Sequence, residues 1–166
     1  MGEQQPPENA YSDDHAAAPD DAALYRRINP DWVNWDELDT HGRPTVTSQA
    51  FQDCTAETVA RLRIPAPGMS IGIALVLEAL GFGPERMLEA VDGRYGLVAL
   101  EAAAIRRLEQ GIQGWPTETE PWHGIVFQRT GTRRSKATRA AMADMATWVI
   151  VPKRGQPSDA EEPGGT

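Results

Sequence analysis

The sequence has few of the residues that build metal sites and disulfide frameworks. Its 166 residues include one cysteine, Cys54, and three histidines, His15, His41 and His123. A single cysteine excludes a disulfide within the chain, and the histidines form none of the paired spacings typical of metal ligands. We therefore expect neither a metal site nor a bound cofactor.

Long apolar runs are also missing. No run approaches the ~20 apolar residues that a membrane-spanning helix needs, and the first residues lack the basic start and apolar stretch of a secretory signal. The overall composition, 40% apolar and 24% charged, is that of an ordinary globular protein. We expect a cytoplasmic protein that does not contact membranes, and the sequence does not determine its oligomeric state.

Positive charge is absent from both ends of the chain. Residues 1–23 contain six acids and residues 155–166 contain three, and neither segment contains Lys or Arg. Both segments are poor in large apolar side chains, so they cannot offset the entropy cost of ordering. We predict disordered acidic tails at 1–23 and 155–166, which flank one globular domain at 24–154.

Within that domain, strand-like and helical patterns intermix without the regular alternation of a doubly wound sheet. We therefore predict a single α+β domain, with a mixed or mostly antiparallel sheet and three to five covering helices. The segment TVTSQAF favours a strand. NPDWVNWDELDTHGRP favours a surface connection that Trp32, Val33 and Trp35 hold against the core. The strongest strand prediction is Trp122–Arg129, in which Val126 faces a core that Met142 and Met145 complete from the last helix.

The positive charge of the domain is concentrated near its end, because residues 124–154 hold seven bases and one acid. These bases surround a turn between a predicted strand and a predicted helix, where unpaired backbone N–H groups and the helix dipole attract anions. We predict that this basic junction binds an anionic small molecule or an acidic protein surface, with nucleic acid less favoured. Its predicted residues are Arg129, Thr130, Thr132, Arg133, Arg134, Ser135 and Lys136, with His123 nearby.

Evidence for catalysis is sparse in the sequence. His123 begins a strand, a position at which active-site residues occur, but no local signature joins it to Cys54 as a nucleophile–base pair. The favoured function is a non-catalytic binding or accessory protein. A structural or assembly role is the alternative if Trp32, Trp35 or Trp115 is exposed at a protein interface.

Two resemblances accompany these patterns. ALYRRI followed by TSQAF resembles the opening of ADP-ribosyltransferase-type domains, which implies a small NAD-using enzyme as another alternative function. The resemblance implies that Arg26 or Arg27 and Ser48 hold NAD, with Glu101 a candidate for the later glutamate. The order RRI, GRP, SQAF, MSI, WHGIVF and WVIVP, which covers roughly residues 24–154, is similar to small uncharacterised bacterial proteins. The second resemblance implies no activity.

Overall fold

The computed structural model of the chain describes residues 13–129 and 133–154. Its strands are β1 (Ala23–Ile28), β2 (Val33–Leu38), β3 (Pro44–Val46), β4 (Gly68–Ile73), β5 (Gly96–Glu101), β6 (Gln110–Gly114), β7 (His123–Gln128) and β8 (Thr147–Ile150). Its α-helices are α1 (Ala56–Leu62), α2 (Ala74–Ala79), α3 (Ala102–Arg107) and α4 (Lys136–Met145), and short 3-10 helices span Pro30–Trp32, Ser48–Phe51 and Pro84–Leu88. Among the described residues, no helix has the length and apolar character needed to cross a bilayer.

Six of the strands form one sheet in the order β6-β7-β4-β1-β5-β8, and every neighbouring pair is antiparallel. Strands β2 and β3 form a separate antiparallel pair. The predicted α+β domain with an antiparallel sheet is therefore confirmed. Because four of the six sheet strands are internal, most backbone donors and acceptors of the sheet are paired on both sides.

The sheet buries a different apolar cluster on each face of β7. Val126 belongs to the main core together with Met142 of α4, and both side chains are 0% exposed. Met145 packs against the same core, as the sequence predicts. Successive strand residues point to opposite faces, so Ile125 and Phe127 instead join a second cluster that α1 covers.

The predicted boundary of the N-terminal tail at residue 23 is wrong for residues 13–23. Ala18 is 0% exposed, and Ala23 already belongs to β1. The carboxylate of Asp13 accepts a hydrogen bond from the backbone N–H of Ile112 at 2.8 Å and pairs with Arg106. Small alanines and ion pairs supply this docking, which a search for large apolar residues does not detect. The rest of the predicted tails, 1–12 and 155–166, lies outside the described residues.

Two local predictions also need correction. The residues SQAF form a 3-10 helix instead of a strand, and the neighbouring side chains of Ala50 and Phe51 are both buried in the main core. A strand would send two consecutive side chains to opposite faces. The predicted surface connection contains the strand β2, which the sequence did not indicate, whereas the packing of Val33 and Trp35 against the main core agrees with the prediction.

Candidate functional site

The basic junction differs from its prediction at Arg134, because this arginine is buried. Its Nη1 donates to Asp53 Oδ1, its Nε to Gln110 Oε1 at 3.1 Å and its Nη2 to the backbone oxygen of Val126 at 2.7 Å. The side chain of Arg134 is 0% exposed and that of Asp53 is 4% exposed. Burial lowers the pKa of Arg134, and the adjacent Asp53 carboxylate opposes that shift. Arg134 therefore connects the start of α4 to the sheet, and its guanidinium group is not available to bind a ligand.

The other predicted residues of the junction lie in different surroundings. Arg129 is half-exposed and pairs with Asp13 at 2.9 Å, and Ser135 caps α4 by accepting a hydrogen bond from the N–H of Thr138. Arg133 and Lys136 are exposed. Thr130 and Thr132 lie outside the described residues. Anion binding by the exposed members of the junction stays a prediction.

A second arginine site occurs where β1 separates from β4. The two strands pair only through Leu24 with Ile73 and Tyr25 with Gly72. Beyond this point, Arg26 spans the opening, with Nη1 donating to the backbone oxygen of Ser70 at 2.8 Å and Nε donating to that of Ala50 at 2.9 Å. Its guanidinium thus replaces the backbone pairing that ends there.

Arg26 differs from the other arginines with largely buried side chains. Arg27, Arg106 and Arg134 each form an ion pair with a carboxylate. Within residues 13–129 and 133–154, no carboxylate oxygen lies within 4.0 Å of the Arg26 guanidinium nitrogens. Desolvation lowers the pKa of Arg26 to about 10, so the group stays protonated at neutral pH. Cys54 and Asp53 oppose this shift without forming an ion pair with Arg26, and the guanidinium lies 5.7 Å from the centre of the Trp32 ring.

His123 lies beside this opening and is hydrogen-bonded at both ring nitrogens. Its Nδ1 lies 2.7 Å from the backbone oxygen of Trp115, and its Nε2 lies 3.0 Å from Ser70 Oγ. A backbone carbonyl can only accept a hydrogen bond, so the ring proton belongs on Nδ1 and the Nε2 lone pair faces the Ser70 hydroxyl. Burial lowers the pKa of His123 and so favours the neutral ring, in which Nε2 carries no proton and accepts from the Ser70 hydroxyl.

Cys54 extends the same chain of hydrogen bonds, since its Sγ lies 3.4 Å from Ser70 Oγ. With the Ser70 hydroxyl donating to His123, the Cys54 thiol becomes the donor to Ser70 Oγ. Sequence reasoning considered Cys54 and His123 as a pair, but it missed the serine that joins them. The available signal was MSIGI, in which Ser70 is the polar residue of an otherwise apolar strand.

These groups border a small cavity of about 40 Å³, which we call the Ser70 cavity. Water-sized cavities begin at about 10–15 Å³ on this measure, so the space can hold a few waters or one small anionic group. Ser70 is half-buried and the Arg27 side chain is 23% exposed, which leaves an approach from solvent. The cavity is lined by Arg26, Arg27, Ser70, Ile71, Met87 and His123.

Arg27 frames the cavity from the strand face that also carries Ser70 and His123. Its Nε donates to the backbone oxygen of Met87, and its Nη2 pairs with Glu120 of the loop before β7. Glu120 also accepts the backbone N–H of His123 at 3.0 Å through its own carbonyl. Arg27 and Glu120 together hold the histidine end of the cavity in place.

A larger groove of about 490 Å³ lies between the β2–β3 pair and α4. Ser48 lines it, whereas Glu101 is exposed at the end of β5. Among the described residues, no hydrogen bond or ion pair joins Ser48 or Glu101 to Arg26 or Arg27. The one cation among the described residues that line the groove, Arg43, pairs with Asp39 at 3.2 Å, and the other charged lining residues, Glu37 and Asp144, are acidic. We therefore place the candidate site at the smaller cavity, which is lined by His123 and by Arg26, a cation that forms no ion pair with the described residues.

The three tryptophans that an assembly role would use are partly buried. Trp32 and Trp35 pack against the main core, and Trp115 packs against the second cluster. The indole N–H of Trp115 donates to the backbone oxygen of Leu62 at 3.0 Å. Each ring thus covers apolar side chains of its own domain while remaining partly exposed, and the alternative of an assembly role stays a prediction.

A scan against protein-family models found no match, and searches of curated proteins and of solved structures also found no significant match. Among residues 13–129 and 133–154, no group of three or more His, Cys, Asp or Glu side chains is placed to hold a metal ion. The function has to be inferred from the cavity itself.

Proposed function

We propose that the protein binds a small anionic group, a carboxylate or a phosphate, in the Ser70 cavity. The observation that carries this proposal is Arg26, a desolvated guanidinium bonded to two backbone carbonyls and to no carboxylate of the described chain. Burial of a charge without a counter-charge is costly, and a bound anion would offset that cost. The sequence also predicts anion binding, but at the basic junction. We propose instead that the anion binds at the sheet, in the Ser70 cavity.

Guanidinium groups suit this ligand class because their fixed donors match the oxygens of carboxylate and phosphate. Arg26 contributes the charge, and the Ser70 hydroxyl contributes an adjacent polar contact. A cavity of about 40 Å³ admits the anionic group, while the remainder of a larger ligand stays outside. The same proposal has two further parts. The protein acts in the cytoplasm, and an acidic protein surface can supply the carboxylate.

The test is calorimetric titration of the whole chain with inorganic phosphate and, separately, with acetate. Arg26→Met removes the charge while keeping much of the side-chain volume, and loss of a charge-assisted hydrogen bond should weaken binding about 10- to 150-fold. Arg26→Lys should keep part of the affinity, because it keeps the charge but not the fork. Circular dichroism of each variant checks that the fold is intact.

Arg133→Ala is the matched control, because it removes an exposed arginine of the basic junction. The proposal expects this variant to bind as the wild type does. Equal affinities of wild type and Arg26→Met would refute binding at the Ser70 cavity. Weakened binding by Arg133→Ala instead would locate the anion at the basic junction.

A further inference from the structure

We propose that Ser70 is a nucleophile and His123 its general base, and that this pair hydrolyses a carboxylic ester that carries an anionic group. The preference for an anionic ester rests on the proposed function of Arg26. The nucleophile–base pair rests independently on the geometry of the two side chains. Sequence motifs do not contribute, since the strand MSIGI carries no glycine-flanked nucleophile turn.

The geometry meets the requirements for an activated serine. Nε2 of His123 lies 3.0 Å from Ser70 Oγ, within reach for proton transfer, and a third group orients the ring from Nδ1. That third group is the backbone oxygen of Trp115 where a carboxylate is more usual. The carbonyl fixes the same tautomer, although it lacks the full charge that would stabilise an imidazolium.

Neighbouring elements hold both residues in position. Antiparallel pairing places His123 opposite Gly72, two residues from Ser70 on the same face of β4. Arg26 donates to the backbone oxygen of Ser70, so the positive charge lies next to the nucleophile. The same charge can attract the anionic end of a substrate.

The reaction has two balanced steps. Ser70 Oγ bonds to the ester carbonyl carbon, His123 Nε2 takes the hydroxyl proton, and the ester C–O bond breaks as the leaving alcohol receives that proton. A water then attacks the acyl-serine, again giving a proton to His123, and the serine–acyl bond breaks. The acid is released, and Ser70 recovers its proton from His123.

The primary experiment treats the whole chain with a fluorophosphonate, whose phosphorus takes the place of the ester carbon as fluoride leaves. Intact mass and peptide mapping should show one adduct at Ser70. His123→Gln should slow labelling by about 100-fold or more, the size of a general-base contribution. Ser70→Ala should abolish the adduct, whereas the matched control Ser48→Ala, at the larger groove, should not alter it.

Failure of this inference is separable from failure of the proposed function. If phosphate binds through Arg26 but Ser70 is not labelled, the nucleophile inference is overturned and the binding proposal stands. A label on Cys54 would also overturn it, because the thiol would then be the reactive group. Labelling that is equal in wild type and His123→Gln would exclude a general-base role for His123.

The substrate preference has its own measurement, the release of p-nitrophenolate from a neutral acetate ester and from an anionic hemisuccinate ester. Wild type should prefer the anionic ester, and Arg26→Met should lose about 10-fold or more of that preference. Equal rates for the two esters in wild type would overturn the inferred preference for an anionic ester. Both rates should vanish in Ser70→Ala, and persistence of either would overturn Ser70 as the nucleophile.

Discussion

Replacing Arg134 with alanine should destabilise the protein severely, even though its neighbour Arg133 can be replaced at almost no cost. The two arginines adjoin in sequence and share one charge cluster, yet Arg134 has a fully buried side chain and Arg133 is exposed. The substitution removes donors to Asp53, Gln110 and the backbone oxygen of Val126. Among the residues that the structure describes, only the backbone N–H of residue 134 would still donate to Asp53.

The expected loss follows from what the substitution leaves behind. The Asp53 side chain is 4% exposed, so removal of the Arg134 guanidinium leaves a buried carboxylate without its ion-pair partner. Breaking a buried ion pair on one side costs about 3–5 kcal/mol. Gln110, which is 0% exposed, also loses a donor to its side-chain oxygen. We expect about 3–5 kcal/mol of lost unfolding free energy, from a total of about 5–15 kcal/mol for a typical domain.

Urea unfolding, followed by circular dichroism and tryptophan fluorescence, measures this difference. Arg134→Ala should lower the unfolding free energy by about 3–5 kcal/mol and, in a thermal scan, the melting temperature by about 6–20 °C. Arg133→Ala should change the unfolding free energy by no more than about 0.5 kcal/mol. The double variant Asp53→Leu with Arg134→Met should recover much of the loss, since it removes both charges. Similar small effects of Arg133→Ala and Arg134→Ala would refute the buried position of Arg134.

Three further outcomes are expected from the same unfolding assay. Asp13→Ala should lower the unfolding free energy by about 1.5–3 kcal/mol, because Asp13 holds residues 13–22 against the domain. Asp21 is exposed, so Asp21→Ala should lower it by less than about 0.5 kcal/mol. Equal effects of the two substitutions would contradict the docking of residues 13–22. Val126→Ala should lower the unfolding free energy by about 1–3 kcal/mol, because it removes buried apolar surface. The control Val149→Ala should change it little, because the Val149 side chain is 39% exposed. Burial lowers the pKa of His123 below its unfolded value of 6.5, so the unfolded chain binds more protons and stability should fall as the pH drops below about 6.5. His123→Gln should flatten this dependence, and an unchanged slope would assign it to other groups.

Local patterns in the sequence predict much of the sheet. The apolar run from Trp122 to Arg129 and the alternation in ALYRRI correspond to β7 and β1. A segment of residues with strong β-propensity has little alternative to the strand conformation when both of its faces are buried. The 3-10 helix Ser48–Phe51 was missed because its four residues are too few to show helical periodicity, and burial of Phe51 decides its conformation.

The candidate site was less accessible to sequence reasoning. His123 was identified from its position at a strand start, and Arg26 entered only through a resemblance. Ser70 lies 53 residues before His123 along the chain, and only the pairing of β4 with β7 places them 3.0 Å apart. Spacing in the sequence carries no information about contacts made across a sheet.

The sequence by itself determined the composition of the domain, the concentration of bases near its end and the residues able to form strands and helices, because these depend on local chemistry. The tertiary structure alone decided which charges are available. Arg133 and Arg134 are chemically identical in the sequence, but Asp53, 81 residues away from Arg134, neutralises one of them. Within residues 13–129 and 133–154, Arg26 forms no such ion pair and donates to two backbone oxygens instead. Solvent exposure and counter-charge are set by distant segments, so they arise only when the chain has folded.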